Sequence, residues 1–393
     1  MWNRPLKQIT ATAAAAACLA LATARAVILL GTGDPGANTT APTGDLAGSG
    51  WQFQGIFGGF LGTPIAPQHF ISASHIGGGI GAAFVFGGLT YNITEGRSDP
   101  YSDLTIWKVD GIFSTVAPLY TGSGETGQRL VVIGRGTQRG AEVVKNGTPR
   151  GWRWGPGDSV QRWGENVVTD IINGGPVNQF VYAQFDASGP PNEAHLSSGD
   201  SGGAVFIQDG ALWKLVGINY AVDGPFFETA MGGSFFDGAL YDARDYYYQD
   251  PQAPTGFSLI AGPSPVPSGF YATRISSKLP FVYSAIDPAG DIDGNGVSNL
   301  VQYAQTLNAP APLGPGAPVV IRESGFVSIV YRKLLLANAP QYAVQQSSDL
   351  RSWTTVAPTE IVLNTTGEVQ TVQAQVPAAG NRSFLRVVIS PPP

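Results

Sequence analysis

Ser201 lies in the run Ser198-Gly199-Asp200-Ser201-Gly202-Gly203. A serine hydroxyl attacks an acyl carbon only when a base removes its proton and N–H groups meet the charge developing on the carbonyl oxygen. Glycines flanking Ser201 let the backbone make a tight turn that projects the hydroxyl. The residues that follow, Ala204-Val205-Phe206, begin an apolar run suited to a buried strand, which would hold that turn rigid. The chemistry that fits is acyl transfer. Its competitor is an ordinary hairpin loop, because Gly, Asp and Ser are all common turn residues.

A nucleophilic serine needs a base, and the chain has three histidines, His69, His75 and His195, all before Ser201. The sequence Gly199-x-Ser201-x-Gly203 also fits the nucleophile elbow of α/β-hydrolases, but those enzymes run serine, then acid, then histidine. With no histidine after the serine that order fails, and the order His, Asp, Ser remains. His75 ends the run Phe70-Ile71-Ser72-Ala73-Ser74 and precedes Ile76-Gly77-Gly78-Gly79. A strand ending in a small-residue turn places an imidazole at a cleft edge. His69 begins the same strand and reads as a surface or structural residue. His195 lies so close to Ser201 that its loop would have to fold back sharply. The carboxylate that orients the base belongs on the same β-unit, shielded from water. Asp103 precedes the alternating run Leu104-Thr105-Ile106-Trp107-Lys108-Val109 and is favoured over Asp99 and Asp110, which sit beside Pro100 and Gly111 as turn residues.

The elements that must position these groups read as strands. Charged residues are 13% of the chain, hydrophobic residues 43%, and Gly (52) and Pro (30) are abundant. Short runs rich in Val, Ile, Phe, Tyr and Thr alternate with turn clusters, which favours an all-β protein. Strands are predicted over 53–57, 69–73, 82–86, 90–94, 104–109, 129–133, 180–184, 204–207 and 215–220, with Gly87-Gly88 as a hairpin turn. So many short strands in one region suit a barrel or a pair of barrels. Pro, Gly and Ser concentrate in 251–267, and the stretch 251–286 is expected to be a linker. The returning alternation over 310–393 is enough for a small β-sandwich-like module.

Several segments resemble those of trypsin-like serine proteases. Ile71-Ser72-Ala73-Ser74-His75 is similar to their TAAH segment, and Ser102-Asp103-Leu104-Thr105-Ile106-Trp107-Lys108-Val109 to the strand that carries their aspartate. Gly199-Asp200-Ser201-Gly202-Gly203 matches GDSGG, and Leu215-Val216-Gly217-Ile218-Asn219-Tyr220 resembles the strand after the serine. The resemblance covers about 51–248. It implies two six-stranded β-barrels with a His75–Asp103–Ser201 triad in their cleft. It also implies an oxyanion hole from the N–H groups of Gly199 and Ser201, and hydrolysis of peptide bonds through an acyl-enzyme. The family's pocket floor falls at His195 and its wall at Asn219, Tyr220 and Ala221. No acidic residue stands at that floor, so a preference for Lys or Arg is not expected, and His195 would suit an acidic or polar side chain. Animal members pair a new N-terminal amine with the aspartate before the serine. Val27 lies far upstream and is not assigned that role; an arginine, as in bacterial relatives, is the alternative partner for Asp200. The rival reading is a catalytically inactive protease fold used for adhesion or recognition.

The start of the chain reads as a secretory signal over 1–26, with Arg4 and Lys7, an apolar stretch over 11–24 too short to span a bilayer, and Ala24-Arg25-Ala26 as the cleavage pattern. The mature protein is then expected to begin at Val27, over a protease domain of 27–250, and to be secreted or displayed at the cell surface. The only cysteine, Cys18, would be lost with the signal, so no disulfide is expected. Net charge of −6 and the absence of a basic patch argue against a nucleic-acid partner. The expected partner is a protein or peptide substrate, with no membrane span, a monomeric state and no cofactor needed for catalysis.

Within 287–309, Asp291, Asp293, Asn295 and Val297 place oxygen ligands at the alternate positions of a calcium loop, with Gly296 sixth. Gln302 stands where a bidentate carboxylate is expected, and the alternative is a structural Asx/Gly turn. The segment resembles the DxDGDGxSNLxEY modules of secreted bacterial proteins. The stretch containing Ser347-Ser348-Asp349-Leu350-Arg351-Ser352-Trp353 resembles the β-modules that follow them in Verrucomicrobia-like proteins. Such modules imply attachment or spacing, with a structural Ca²⁺ as the candidate ligand.

Overall fold

The computed structural model describes residues 27–391, apart from 175–177, 292–296, 307–317, 324, 336–338, 367–368, 379 and 381. The expected signal segment and the middle of the candidate calcium loop, including Asp293 and Asn295, lie outside the described residues. The chain forms two compact units. One comprises the residues up to Gly96 together with Asp103–Ser276; the other comprises Arg97–Ser102 and Ser277–Pro393.

The first unit begins with a closed six-stranded barrel. Its strands run, in order around the barrel, Gly55–Phe57, Phe60–Ala66, His69–Ala73, Leu104–Val109, Leu89–Ser98 and Ala83–Phe86. His69–Ala73 and Leu104–Val109 are buried along nearly their whole length, their polar Ser72 and Thr105 included. Aromatic side chains fill the interior: the rings of Phe70 and Phe84 stack with centroids 3.8 Å apart, and Phe57, Tyr91, Trp107 and Phe113 pack around them. Full burial of each such ring contributes about 1.5–3 kcal/mol.

Seven antiparallel strands follow, in the order Arg162–Val167, Arg129–Gly134, Ala204–Asp209, Leu212–Val222, Gly269–Arg274, Gln179–Gln184 and Asp170–Asn173. The strand that leaves the serine turn, Ala204–Asp209, is therefore an inner strand, hydrogen-bonded on both sides. Its Ala204, Val205, Phe206 and Ile207 are at most 1% exposed. The stretch 251–286, expected as a linker, is corrected here. It supplies the short strand Phe257–Leu259, the inner strand Gly269–Arg274 and the helix Leu279–Ile286. Six residues after a Pro-rich run sufficed to make a fully paired strand, and the composition of their surroundings hid them.

Strand Ile28–Leu29 pairs with Ala194–His195, and Leu30 N–H donates to the Glu193 carbonyl at 2.8 Å. Glu193 is 1% exposed. Burial, reinforced by the neighbouring Asp186 and Glu165 carboxylates, pushes its pKa up to about 8. The charged form is the one that burial disfavours.

The second unit pairs two short helices, Leu279–Ile286 and Asn299–Thr306, with two sheets. One sheet has the order Val319–Glu323, Phe326–Leu334, Val369–Pro377, Thr359–Thr366; the other has Thr354–Thr355, Gln341–Ser347, Phe384–Ser390. Val327, Ile329, Tyr331, Val372 and Val376 from the first meet Val344 and Leu385 from the second in one core, which makes the expected sandwich-like module.

Because the folded-state pKa of Glu193 lies above its unfolded value, its contribution to stability is present at low pH and is lost as pH rises through about 8. Glu193→Gln should therefore gain stability relative to the parent as pH rises from about 5 to about 9. Thermal melts across that range check this; parallel curves would show that Glu193 does not titrate in the fold.

Candidate active site

His75 stands on a short 3₁₀ turn, Ser74–Ile76, at the end of strand His69–Ala73. The antiparallel register sets Ala73 opposite Leu104, so Ser74 and Asp103 meet just beyond the strand ends, where Ser74 N–H donates to the Asp103 carbonyl at 3.0 Å. One residue on, Asp103 holds His75 at two points. The His75 backbone N–H donates to Oδ1 at 2.8 Å, and Nδ1 lies 2.5 Å from Oδ2. A carboxylate can only accept, so Nδ1 carries the proton and Nε2 is left as the acceptor. Nε2 lies 2.7 Å from Ser201 Oγ. The Asp103 side chain is 13% exposed and that of His75 43%, so the carboxylate is sheltered while the imidazole opens to solvent. The edge of His75 faces the Tyr220 ring at 6.3 Å between centroids, and Tyr220 is itself stacked on Phe180 at 5.0 Å.

The serine turn is built around Asp200, which is 1% exposed. Gly136 N–H donates to its Oδ1 at 2.6 Å, and Ser197 donates to Oδ2 through N–H at 2.8 Å and Oγ at 3.0 Å. Val27 N–H reaches both oxygens, at 3.2 and 3.3 Å. Burial still outweighs these donors and pushes the Asp200 pKa up to about 6. Among the described residues no arginine reaches Asp200. The expectation that Val27 is too far upstream is overturned, because the pairing of Ile28 with His195 carries Val27 directly to the carboxylate.

Asn219 fastens the other side of the turn. Its Nδ2 donates to the carbonyls of Ile133 at 2.9 Å and Asp200 at 3.0 Å, while Gly202 N–H donates to the Asn219 carbonyl at 3.2 Å. Gly199 and Gly202 have φ of 95° and 76°, a region that side chains with Cβ rarely adopt. A Cβ on Gly202 would also fall 2.6 Å from the Leu61 carbonyl oxygen. Among the described residues, neither the Gly199 nor the Ser201 N–H donates to a protein acceptor, so both amides are free for an incoming oxygen.

Beside Ser201 opens a pocket of about 160 Å³. Asn219, Tyr220 and Ala221 line it, with Trp154, Leu196, Ser197, Ser198 and Val222. His195 does not; the expectation that it forms the floor is corrected. It is fully buried, its Nδ1–H donates to the Leu196 carbonyl at 2.6 Å, and Nε2 faces Ser268 Oγ at 3.3 Å between the rings of Phe185 and Phe270. Burial pushes its pKa down and keeps it neutral. His195 is enclosed between Phe185 and Phe270, and the next residue, Leu196, is the one that lines the pocket. Trp154, on strand Thr148–Gly157, had no signal in the sequence.

Among the described residues no group of three or more His, Cys, Asp or Glu is arranged to hold a metal, and no helix is long and apolar enough to cross a membrane. Asp291 and Val297 are described, but the loop between them is not.

No protein-family model matches the chain, and no curated protein matches it. Among solved structures the chain is similar to neuropsin, a serine protease expressed in the limbic system of mouse brain. Identity is 14%, coverage is 61% of this chain and 96% of that one, and the TM-score is 0.36. The closed barrel, the serine turn that leads into an inner strand of the following sheet and the C-terminal β-module make the chain an all-β protein.

His195→Ala should cost about 2–4 kcal/mol of stability by emptying a packed site and should leave any side-chain preference unchanged. Melting curves and a substrate panel test both halves. A changed preference at unchanged stability would put His195 in the pocket.

Proposed function

We propose that the protein is a secreted serine endopeptidase that cleaves peptide bonds through an acyl-enzyme. The observation that carries this reading is the unbroken chain of contacts from Asp103 through His75 to Ser201 Oγ, at 2.5 and 2.7 Å. Ser201 Oγ attacks the scissile carbonyl carbon while its proton passes to His75 Nε2. The tetrahedral oxyanion is met by the N–H groups of Gly199 and Ser201. The C–N bond then breaks, His75 returns the proton to the departing amine, and the acyl group stays on Ser201. Water repeats the sequence, its proton going to His75, and frees the acid. Asp103 holds the imidazole in the tautomer that can accept and stabilises the imidazolium that forms.

The pocket supports a neutral residue on the acyl side of the cleaved bond. Leu196, Ala221 and Val222 give it apolar walls. Its one acidic neighbour, Asp200, is already engaged by Val27, Gly136 and Ser197. A lysine or arginine entering it would be desolvated without a counter-charge.

Export is part of the same reading. Cleavage after Ala26 would turn the Val27 N–H into an ammonium beside a buried carboxylate. The added charge would offset the cost of ionising Asp200 in the interior and lock the serine turn.

Three outcomes follow. A fluorophosphonate should label Ser201, and Ser201→Ala and His75→Ala should abolish the labelling; an unlabelled, folded protein would favour the inactive, recognition-type reading. Asp103→Asn should lower kcat by roughly 10⁴-fold. Chains that begin at Val27 should exceed chains retaining Ala26 by at least about tenfold in kcat/KM, a loss in line with a small misplacement of reacting groups. Equal activity would separate Val27 from catalysis.

A further inference from the structure

The segment before Asp103 belongs to the second unit. Arg97–Ser102 groups with Ser277–Pro393, and the chain returns to the first unit at Asp103 itself. Within the second unit this segment is anchored at both ends. At one end Arg97 Nη1 donates to the Ser284 carbonyl at 2.8 Å, and its guanidinium lies 5.8 Å from the Phe281 ring and 5.4 Å from the Tyr303 ring. At the other, Asp99 Oδ2 meets Lys278 Nζ at 2.8 Å, the two side chains being 2% and 4% exposed.

The same Asp99 carboxylate closes the turn that delivers Asp103. Ser102 Oγ donates to Oδ2 at 2.6 Å, Tyr101 N–H donates to Oδ1 at 3.3 Å, and Ser102 N–H donates to the Asp99 carbonyl at 3.3 Å. A buried ion pair is a poor source of net stability, since desolvation consumes most of the attraction, but it fixes geometry. Here it fixes a four-residue turn whose next residue is the carboxylate that orients His75.

We infer that Lys278 and Asp99 are positioning residues for Asp103. The inference rests on the protease reading for its effect on rate. Its structural content does not: the pair sets how tightly Asp103 holds the backbone and ring of His75. A displacement of about 1 Å at such a carboxylate can cost on the order of 10²-fold in rate.

The test uses the full chain and two readouts. In the double variant Asp99→Leu with Lys278→Met both members of the buried pair are replaced by apolar side chains of similar size, so neither is left as a lone charge and folding should survive; Lys278→Arg retains the charge and serves as the rescue. Residue-resolved hydrogen exchange follows the His75 amide, which donates to Asp103 Oδ1, and the Ser74 amide, which donates to its carbonyl. Fluorophosphonate labelling follows Ser201. Both amides should exchange at least about tenfold faster in the double variant, and labelling should slow by about 10–100-fold. Melting should remain cooperative, and Lys278→Arg should recover most of each loss. Unchanged exchange at His75 and Ser74 overturns the positioning role, whatever the labelling does. Faster exchange in a protein whose parent never labels supports the positioning role and removes the protease reading instead. Should the double variant not fold, the same exchange comparison is made with Asp99→Asn: faster exchange at the two amides supports the positioning role, and unchanged exchange overturns it.

Discussion

A carboxylate taken out of water must be surrounded by donors or give up its charge. Asp200 is where this chain meets that requirement, and the serine turn takes its form from the answer. Gly136, Ser197 and Val27 come from three separate parts of the sequence: Gly136 follows the inner strand Arg129–Gly134, Ser197 belongs to the turn that carries Asp200, and Val27 precedes the strand Ile28–Leu29, which pairs with Ala194–His195. Once these donors are in place the turn cannot relax without stranding a buried charge, and Ser201 is held on its rim.

His75 arrives by a different route. His75 and Asp103 need no buried hub, because the barrel register places the ends of two neighbouring strands side by side. The aromatic interior of the barrel, with Phe70 against Phe84 and Trp107 behind them, makes slippage of either strand costly; a shift by one residue would turn every side chain to the other face. Ser201 is thus held by electrostatics and His75 by packing and register. They meet across 2.7 Å at a sequence separation of 126.

What the sequence disclosed and what it hid follow from these two routes. His75, Asp103 and Ser201 sit at the ends of short local patterns, so their neighbours announced them. The all-β class and the C-terminal sandwich were legible through alternation, as in 327–331 and 369–376. The contact of Val27 with Asp200 spans 173 residues and leaves no local trace. His195 looked like a pocket residue by spacing alone, and the inward face of its strand decided otherwise. The stretch 251–286 looked like a linker because proline and glycine surround the inner strand Gly269–Arg274. Asp99 looked like a turn residue beside Pro100, which it is, but its partner Lys278 lies in another part of the chain. The candidate calcium positions Asp293 and Asn295 fall outside the described residues.

The central claim is that this geometry performs acyl transfer. It is tested most directly by stopped-flow mixing of the chain beginning at Val27 with a p-nitrophenyl ester of a neutral acylated amino acid. The expected result is a burst of nitrophenol close to one equivalent per folded chain, followed by slower turnover as the acyl-enzyme hydrolyses. A folded protein that releases nitrophenol with no burst, at a rate indistinguishable from its Ser201→Ala variant, would contradict it.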